Sequence, residues 1–173
     1  MNPATGHLLA PVAEVFARAG CTVLVHEADA TAAARGCDRT AASLRRAVSS
    51  DKLSQQDANA ASARIEIGTD LSAFAPVQLC IEAVSEDEGV KLALFHELDQ
   101  VVERGDAILA SNTSSIPIMN LGTATSRPHQ VIGMHFFNPM PVLLLVEVVP
   151  SLPTSAEVEA TVRGLAEGLP GSR

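Results

Sequence analysis

Six short apolar runs, separated by segments of helical period, constrain the fold of this chain more than any other feature. Residues 22–25, 65–67, 77–81, 107–110, 131–134 and 143–149 are largely aliphatic, and polar or turn-forming neighbours stop each of them. Runs this short read as strands, the continuous one at 22–25 and the run at 77–81 as strands buried on both faces. Helix patterns lie at 29–50, 54–64, 87–102 and 155–169, with one more from about Ala10 to Gly20 that has Pro11 in its first turn. Strand and helix in alternation predict an α/β fold built on a doubly wound, mostly parallel sheet.

At 173 residues the chain supports a single domain over 1–173, and an apolar content of 47% excludes a disordered one. A net charge of −8 without a dense block of Lys and Arg argues against nucleic acid and against an anionic membrane surface as partners. No apolar run reaches the roughly eighteen residues of a membrane span, and the N-terminus lacks the basic-then-apolar order of a secretion signal, so a cytoplasmic location is expected. Cys21, Cys37 and Cys80 have no metal-ligand spacing and fall in apolar or helical stretches, which predicts buried free thiols in a reducing compartment. His7, His26, His96 and His129 show no such spacing either, and no metal is expected.

Chemistry concentrates at the carboxyl ends of the later strands, where an open α/β sheet keeps its ligand crevice. Ala110-Ser111-Asn112-Thr113-Ser114-Ser115 supplies a hydroxyl at Ser114. His135-Phe136-Phe137-Asn138-Pro139 supplies an imidazole, and Glu147 a carboxylate. If the chain reverses around Pro141, His135 and Glu147 lie symmetrically about it and face each other across an antiparallel pair, with Cβ atoms about 4.5–5.5 Å apart. A carboxylate at that range favours the charged ring and fixes its orientation, which is how a histidine becomes a useful base. A structural His–Glu pair at a sheet end has the same spacing, and Ser114 ahead of Ser-Ile-Pro also reads as a helix cap.

Glu27 follows strand 22–25, where a dinucleotide fold presents an acid to the adenosine ribose; a solvated turn acid has the same signature. Glu86 and Lys91 cluster with Glu82, Asp87 and Glu88 at the start of helix 87–102, and the default reading of such a cluster is a solvated first turn. The phosphate-binding loop expected ahead of Glu14-Val15-Phe16-Ala17-Arg18-Ala19-Gly20 is altered. Its GxGxxG positions hold Ala4, Gly6 and Leu9, so the middle glycine alone survives, and Pro11 withdraws an amide donor. Three residues ahead of Ala4 are too few for a first strand, so that strand is expected to be missing and the edges of its neighbours open.

The strings AEVFARAG, IEAVSED, VKLALFHELD, ASNTSSIPI, GMHFFNPMPV and LVEVV resemble the NAD-binding domain of 3-hydroxyacyl-CoA dehydrogenases, especially the bacterial 3-hydroxybutyryl-CoA enzymes, over most of the chain. SNTSS and HFFNP at this separation are highly specific. The resemblance implies a Rossmann-like fold and an NAD-dependent oxidation of 3-hydroxyacyl-CoA, such as 3-hydroxybutyryl-CoA to acetoacetyl-CoA, in fatty acid metabolism. It implies that His135 takes the hydroxyl proton, that Glu147 orients His135, and that Ser114 hydrogen-bonds the substrate oxygen beside the nicotinamide. It further implies cofactor contacts from Gly6, Glu27, Glu86, Lys91 and Asn112, and substrate-side contacts from Ser43 toward CoA and from Asn138.

Departures accompany the matches. A lysine expected in the CoA-binding helix reads as Ser50, with Lys52 close by. The family's second, helical domain, which closes over the acyl chain and forms the homodimer, has no counterpart in the sequence, so activity as it stands is expected to be weak or absent. Two other readings stay open. One is a non-catalytic remnant that binds CoA or a protein partner, which the altered glycine loop favours. The other is a related sugar-acid or hydroxy-acid dehydrogenase, against which Ser43 within Ala42-Ser43-Leu44-Arg45-Arg46 leans toward a CoA ester.

Overall fold

The computed structural model describes residues 6–137 and 145–171. It divides into two compact units, the first ending at Leu71 and the second beginning at Ser72. The first contains α1 (Gly6–Arg18), β1 (Val23–His26), α2 (Ala30–Ser49), α3 (Gln55–Ser62) and β2 (Ile65–Gly68). β1 and β2 pair in parallel, from Val23 opposite Ile65 to His26 opposite Gly68. Asp29 and Ser54 start the second and third helices by accepting from the amides of Ala32 and Asp57, which satisfies donors no helix can satisfy internally. Ala17, Leu44, Ala58 and Ala61 form the core, with Val23, Val48, Leu53 and Ile65 against them. Small side chains at the contacts let the three helices approach closely.

Two expectations need correction in this unit. α1 begins four residues ahead of Ala10, so Pro11 stands inside the helix instead of in its first turn. Burial of Val12, Ala13, Val15, Phe16 and Ala17 on one helix outweighs the hydrogen bond that proline forfeits to the preceding turn. β1 is half-buried along its length, not enclosed on both faces, and among the described residues β2 is its one ladder partner.

The second unit contains β3 (Leu79–Glu82), α4 (Glu88–Val101), β4 (Ile108–Ser111), α5 (Ile118–Thr123), β5 (Val131–Phe136), β6 (Val146–Pro150) and α6 (Ala156–Gly168). Its sheet runs β3-β4-β5-β6, parallel until β6, which returns antiparallel. β4 is buried throughout, and β5 is enclosed at Val131, Ile132 and Met134 on both of its faces. The short α5 carries too little period to be read as a helix by itself, although Ser-Ser-Ile-Pro ahead of Ile118 reads as a helix start, and α5 begins at Ile118. Several strands end one or two residues later than the apolar runs do. Glu82, Ser111, His135 and Phe136 still pair through their backbones although three of them are polar.

Asp99 and Arg127 close the end of α4. Asp99 accepts from the Ser126 amide at 2.7 Å, the Ser126 hydroxyl at 3.1 Å and Arg127 Nε at 2.8 Å. Arg127 also donates to the carbonyls of Asp99, Val102 and Arg104, consuming acceptors that the helix leaves open. Burial alone would raise the Asp99 pKa, but these donors together outweigh it and hold the carboxyl below its usual range.

The three cysteines are free, yet only Cys80 is buried; Cys37 is exposed and Cys21 intermediate. Cys37 misses the inward stripe of α2, which is Ala32, Gly36, Thr40 and Leu44. Among the described residues no helix is long and apolar enough to cross a membrane.

Candidate active site

His135 and Glu147 are direct cross-strand partners in the β5–β6 ladder, the register that symmetry about Pro141 predicts. Nδ1 of His135 lies 3.7 Å from Oε2 of Glu147, an ion-pair separation for the protonated ring and too long for a hydrogen bond. The histidine side chain is 19% exposed and the glutamate 59%, so the ring sits in the sheet rim while its partner faces water. Phe137 packs its ring beside the imidazole, centroids 4.5 Å apart and tilted by 57°.

Asn112 ties the ends of β4 and β5 together. Its amide donates to the Glu82 carbonyl at 2.9 Å, and its Oδ1 accepts from the Phe136 amide at 2.7 Å. The residue after His135 is thereby fixed to a residue two before Ser114, which brings the hydroxyl loop and the histidine to one end of the sheet. Asn112 itself is buried.

Residues 113–116 form a tight turn around two acceptors. Thr113 donates its hydroxyl to Oε1 of Glu86 and accepts from the amides of Ser115 at 3.3 Å and Ile116 at 3.0 Å. The same glutamate oxygen accepts from the Ser114 amide at 3.3 Å and the Ser115 hydroxyl at 2.9 Å. Burial pushes the Glu86 pKa up, but the two hydroxyls and the Lys91 ammonium outweigh it, so the carboxyl lies below its usual range. Ser114 is exposed, and its hydroxyl has no partner among the described residues. It caps no helix, since α5 begins after Pro117 with no side-chain cap at all.

The acidic cluster is a solvated first turn only in part: Glu86, Asp87 and Glu88 are exposed, whereas Glu82 and Lys91 are buried. Lys91 is buried and reaches Glu82 at 2.7 Å and Glu86 at 3.4 Å. Glu82, Ser111 and Thr113 are site residues that sequence reasoning did not single out. The available signal was position: Glu82 and Ser111 end adjacent parallel strands in register.

In the first unit, Glu27 follows β1 and takes a hydrogen bond from Arg39 Nη2 at 3.2 Å. Gly36 leaves it room, because a Cβ there would stand 3.3 Å from the same carboxylate oxygen. Ser43 lies on α2 and donates to Oε2 of the buried Glu14 at 2.5 Å. Gly6 opens α1. Asn138 lies outside the described residues, as do Ala4 and Pro141.

Parallel strands alternating with helices, with polar side chains gathered at their carboxyl ends, define the class as a Rossmann-like α/β fold. Comparison with known proteins narrows the class. Residues 5–172 match the family described as 3-hydroxyacyl-CoA dehydrogenase, NAD binding domain, and the chain belongs to that family.

The chain is 45% identical over 97% of its length to 3-hydroxybutyryl-CoA dehydrogenase of Mycobacterium tuberculosis, covering 59% of that relative. The crystal structure of M. tuberculosis FadB2 superposes with a TM-score of 0.94 at 45% identity, over 98% of this chain and 59% of that one. (S)-3-Hydroxybutyryl-CoA dehydrogenase PaaH1 from Ralstonia eutropha gives a TM-score of 0.89 at 35% identity, over 94% and 58%. The chain thus spans about three fifths of the length of these relatives. NAD is the cofactor of the family.

Proposed function

We propose that residues 1–173 form one NAD-binding domain of a cytoplasmic 3-hydroxyacyl-CoA dehydrogenase whose substrate is a short ester of the 3-hydroxybutyryl-CoA type. The observation that carries this reading is the His135–Glu147 register pair at the sheet end that Asn112 fastens beside the Ser114 turn. The names of the relatives support the substrate class.

The donor set fits the cofactor. Glu27 follows β1 with its side chain 12% exposed, beside Arg39 and a glycine whose Cβ would crowd its carboxylate, and the Ser114 hydroxyl has no partner among the described residues. Glu27 accepts from the adenosine ribose hydroxyls, while Glu86 and Asn112 form the nicotinamide side with Lys91 acting from behind Glu86, and Gly6 belongs to the phosphate loop. NAD, when bound, supplies the acceptor for the hydride that leaves the substrate carbon. His135 takes the hydroxyl proton at Nε2, the ring nitrogen away from the Glu147 contact, and Glu147 stabilises the charge that develops at Nδ1. Ser114 donates to the substrate oxygen as that proton leaves. Ser43 and Asn138 are assigned to CoA and substrate contacts on the family resemblance.

A fluorescence titration with NADH tests the cofactor reading. Saturable binding weakened by Glu27→Ala is the expected result, and no saturation would refute it for this chain. Turnover of acetoacetyl-CoA with NADH is expected at or near background, because Ala4 and Leu9 replace two loop glycines. Saturable NADH oxidation that falls about 10²–10⁴-fold in His135→Ala would overturn the weak-activity expectation and support the base assignment. A chain that binds CoA but no NADH would favour the remnant reading instead.

A further inference from the structure

The inward stripe of α4 is Lys91, Phe95, Leu98 and Asp99, so its first buried side chain is an ammonium. Lys91 is 1% exposed, and its three protons have three acceptors: Glu82 Oε1 at 2.7 Å, the Val84 carbonyl at 3.3 Å, and Glu86 Oε2 at 3.4 Å. Glu82 is as fully engaged. Its side chain is 0% exposed, Oε1 also takes the Val84 amide at 2.6 Å, and Oε2 takes the Ser111 hydroxyl at 2.6 Å. Burying such a pair costs several kcal/mol per ion unless nearly every lone pair and proton is satisfied, as these are. The chemistry set out above makes no use of Glu82.

A lysine with every proton committed reaches a ligand only through its partners. Of these Glu86 is the one that is exposed, and its other oxygen gathers the Thr113 hydroxyl, the Ser114 amide and the Ser115 hydroxyl. The neighbouring acids are otherwise occupied: Asp87 caps α4 at the Val90 amide, and Glu88 accepts from Asn120. Lys91 is therefore shared by two carboxylates, one buried and one at the surface. We propose that Glu82 is a positioning residue that anchors Lys91 so that Lys91 holds Glu86 against the Thr113–Ser115 turn, fixing the backbone that presents Ser114. The functional weight of this relay rests on the reading of Ser114 as a site residue; the relay itself is a property of the free protein.

The Ser114 amide resonance, followed by 15N NMR against pH, reports ionisation of the carboxylate it touches. Glu82→Gln keeps the shape of the side chain and removes its charge, leaving Glu86 as the sole anionic partner of Lys91. The midpoint of the Ser114 titration is expected to fall by about half a pH unit or more, since the like charge of Glu82 is removed while the opposite charge of Lys91 stays beside Glu86. A midpoint unchanged or raised in the folded variant overturns the proposal, and so does a Ser114 titration that survives Glu86→Gln.

If Glu82→Gln does not fold, the Glu82→Gln/Lys91→Met double variant removes both buried charges. Its midpoint is expected to rise toward the ordinary glutamate value of about 4.3, and a midpoint equal to that of the wild type overturns the relay. None of these measurements needs NAD or a CoA ester, so failure to bind either bears on the dehydrogenase reading alone.

Discussion

Gly133→Ala is the substitution whose cost the structure defines most sharply. Gly133 lies in β5 opposite Val149, two positions before His135 opposite Glu147. A Cβ at that position would stand 2.9 Å from the Val149 Cβ and 3.0 and 3.1 Å from Cδ1 and Cγ1 of Ile118. Carbon atoms pack at about 3.5–4.0 Å, so half an ångström or more must be found. Ile118 can turn its terminal methyl away. The Val149 Cβ is fixed to its backbone and moves only if β6 moves. Removing a strand glycine returns about 0.5–1 kcal/mol. Forcing a methyl into a packed interior costs about 1–3 kcal/mol, so a net loss of about 1–2 kcal/mol is expected. Urea unfolding followed by circular dichroism measures it as a lower midpoint at constant slope. Because β6 carries Glu147, the same shift is expected to move the His135 ring resonances. A Gly133→Ala protein as stable as the wild type, with those resonances unmoved, would refute the claim that the close strand approach here depends on glycine.

Asp99→Asn is expected to lower stability by about 2–3 kcal/mol at neutral pH, because Arg127 loses its anionic partner yet keeps three carbonyl acceptors. The folded-state pKa of Asp99 is depressed, so its contribution is complete above the unfolded value of about 3.9 and fades as pH falls below that through the lower folded value; urea titrations at pH 7 and pH 3 should show the wild-type advantage shrinking at the acid end. Burial pushes the Cys80 thiol up to about 12, with Arg127 only partly opposing it. Iodoacetamide at pH 8 should therefore alkylate exposed Cys37 and spare Cys80, a pattern read by peptide mass spectrometry that alkylation of Cys80 in the folded protein would contradict.

Strand and helix alternation was legible because it rests on hydropathy period, although only the runs at 107–110 and 131–134 are buried throughout and the one at 22–25 is at most half-buried. The polar residues that end those runs were harder to place. Glu82, Ser111 and His135 read as the first residues beyond a strand, whereas each is a paired strand residue. A strand end is decided by backbone hydrogen bonding, which a polar side chain does not interrupt; its polarity matters only for which groups then meet across the ladder. The His135–Glu147 register could be read in advance because antiparallel return through a single turn is symmetric. The Glu82–Ser111 contact could not, because two parallel strands joined through a helix have no such symmetry in the sequence.

The charges buried in α4 were hidden for a similar reason. Of its apolar residues Phe95 and Leu98 are buried and Val90 is exposed, and the buried stripe begins at Lys91 and closes at Asp99. Both charges are inside because each has a complete set of partners from another element: Glu82 and Val84 at one end, Ser126 and Arg127 at the other. Hydropathy assigns a penalty to a buried charge as if it were alone, and a single helix holds no information about who will meet it. The two ends differ in what they do with the arrangement. At Asp99 every partner is spent on the helix end and the result is stability. At Lys91 one partner, Glu86, is exposed and accepts from the Ser114 amide, so the same kind of buried ion pair connects to the loop that carries Ser114.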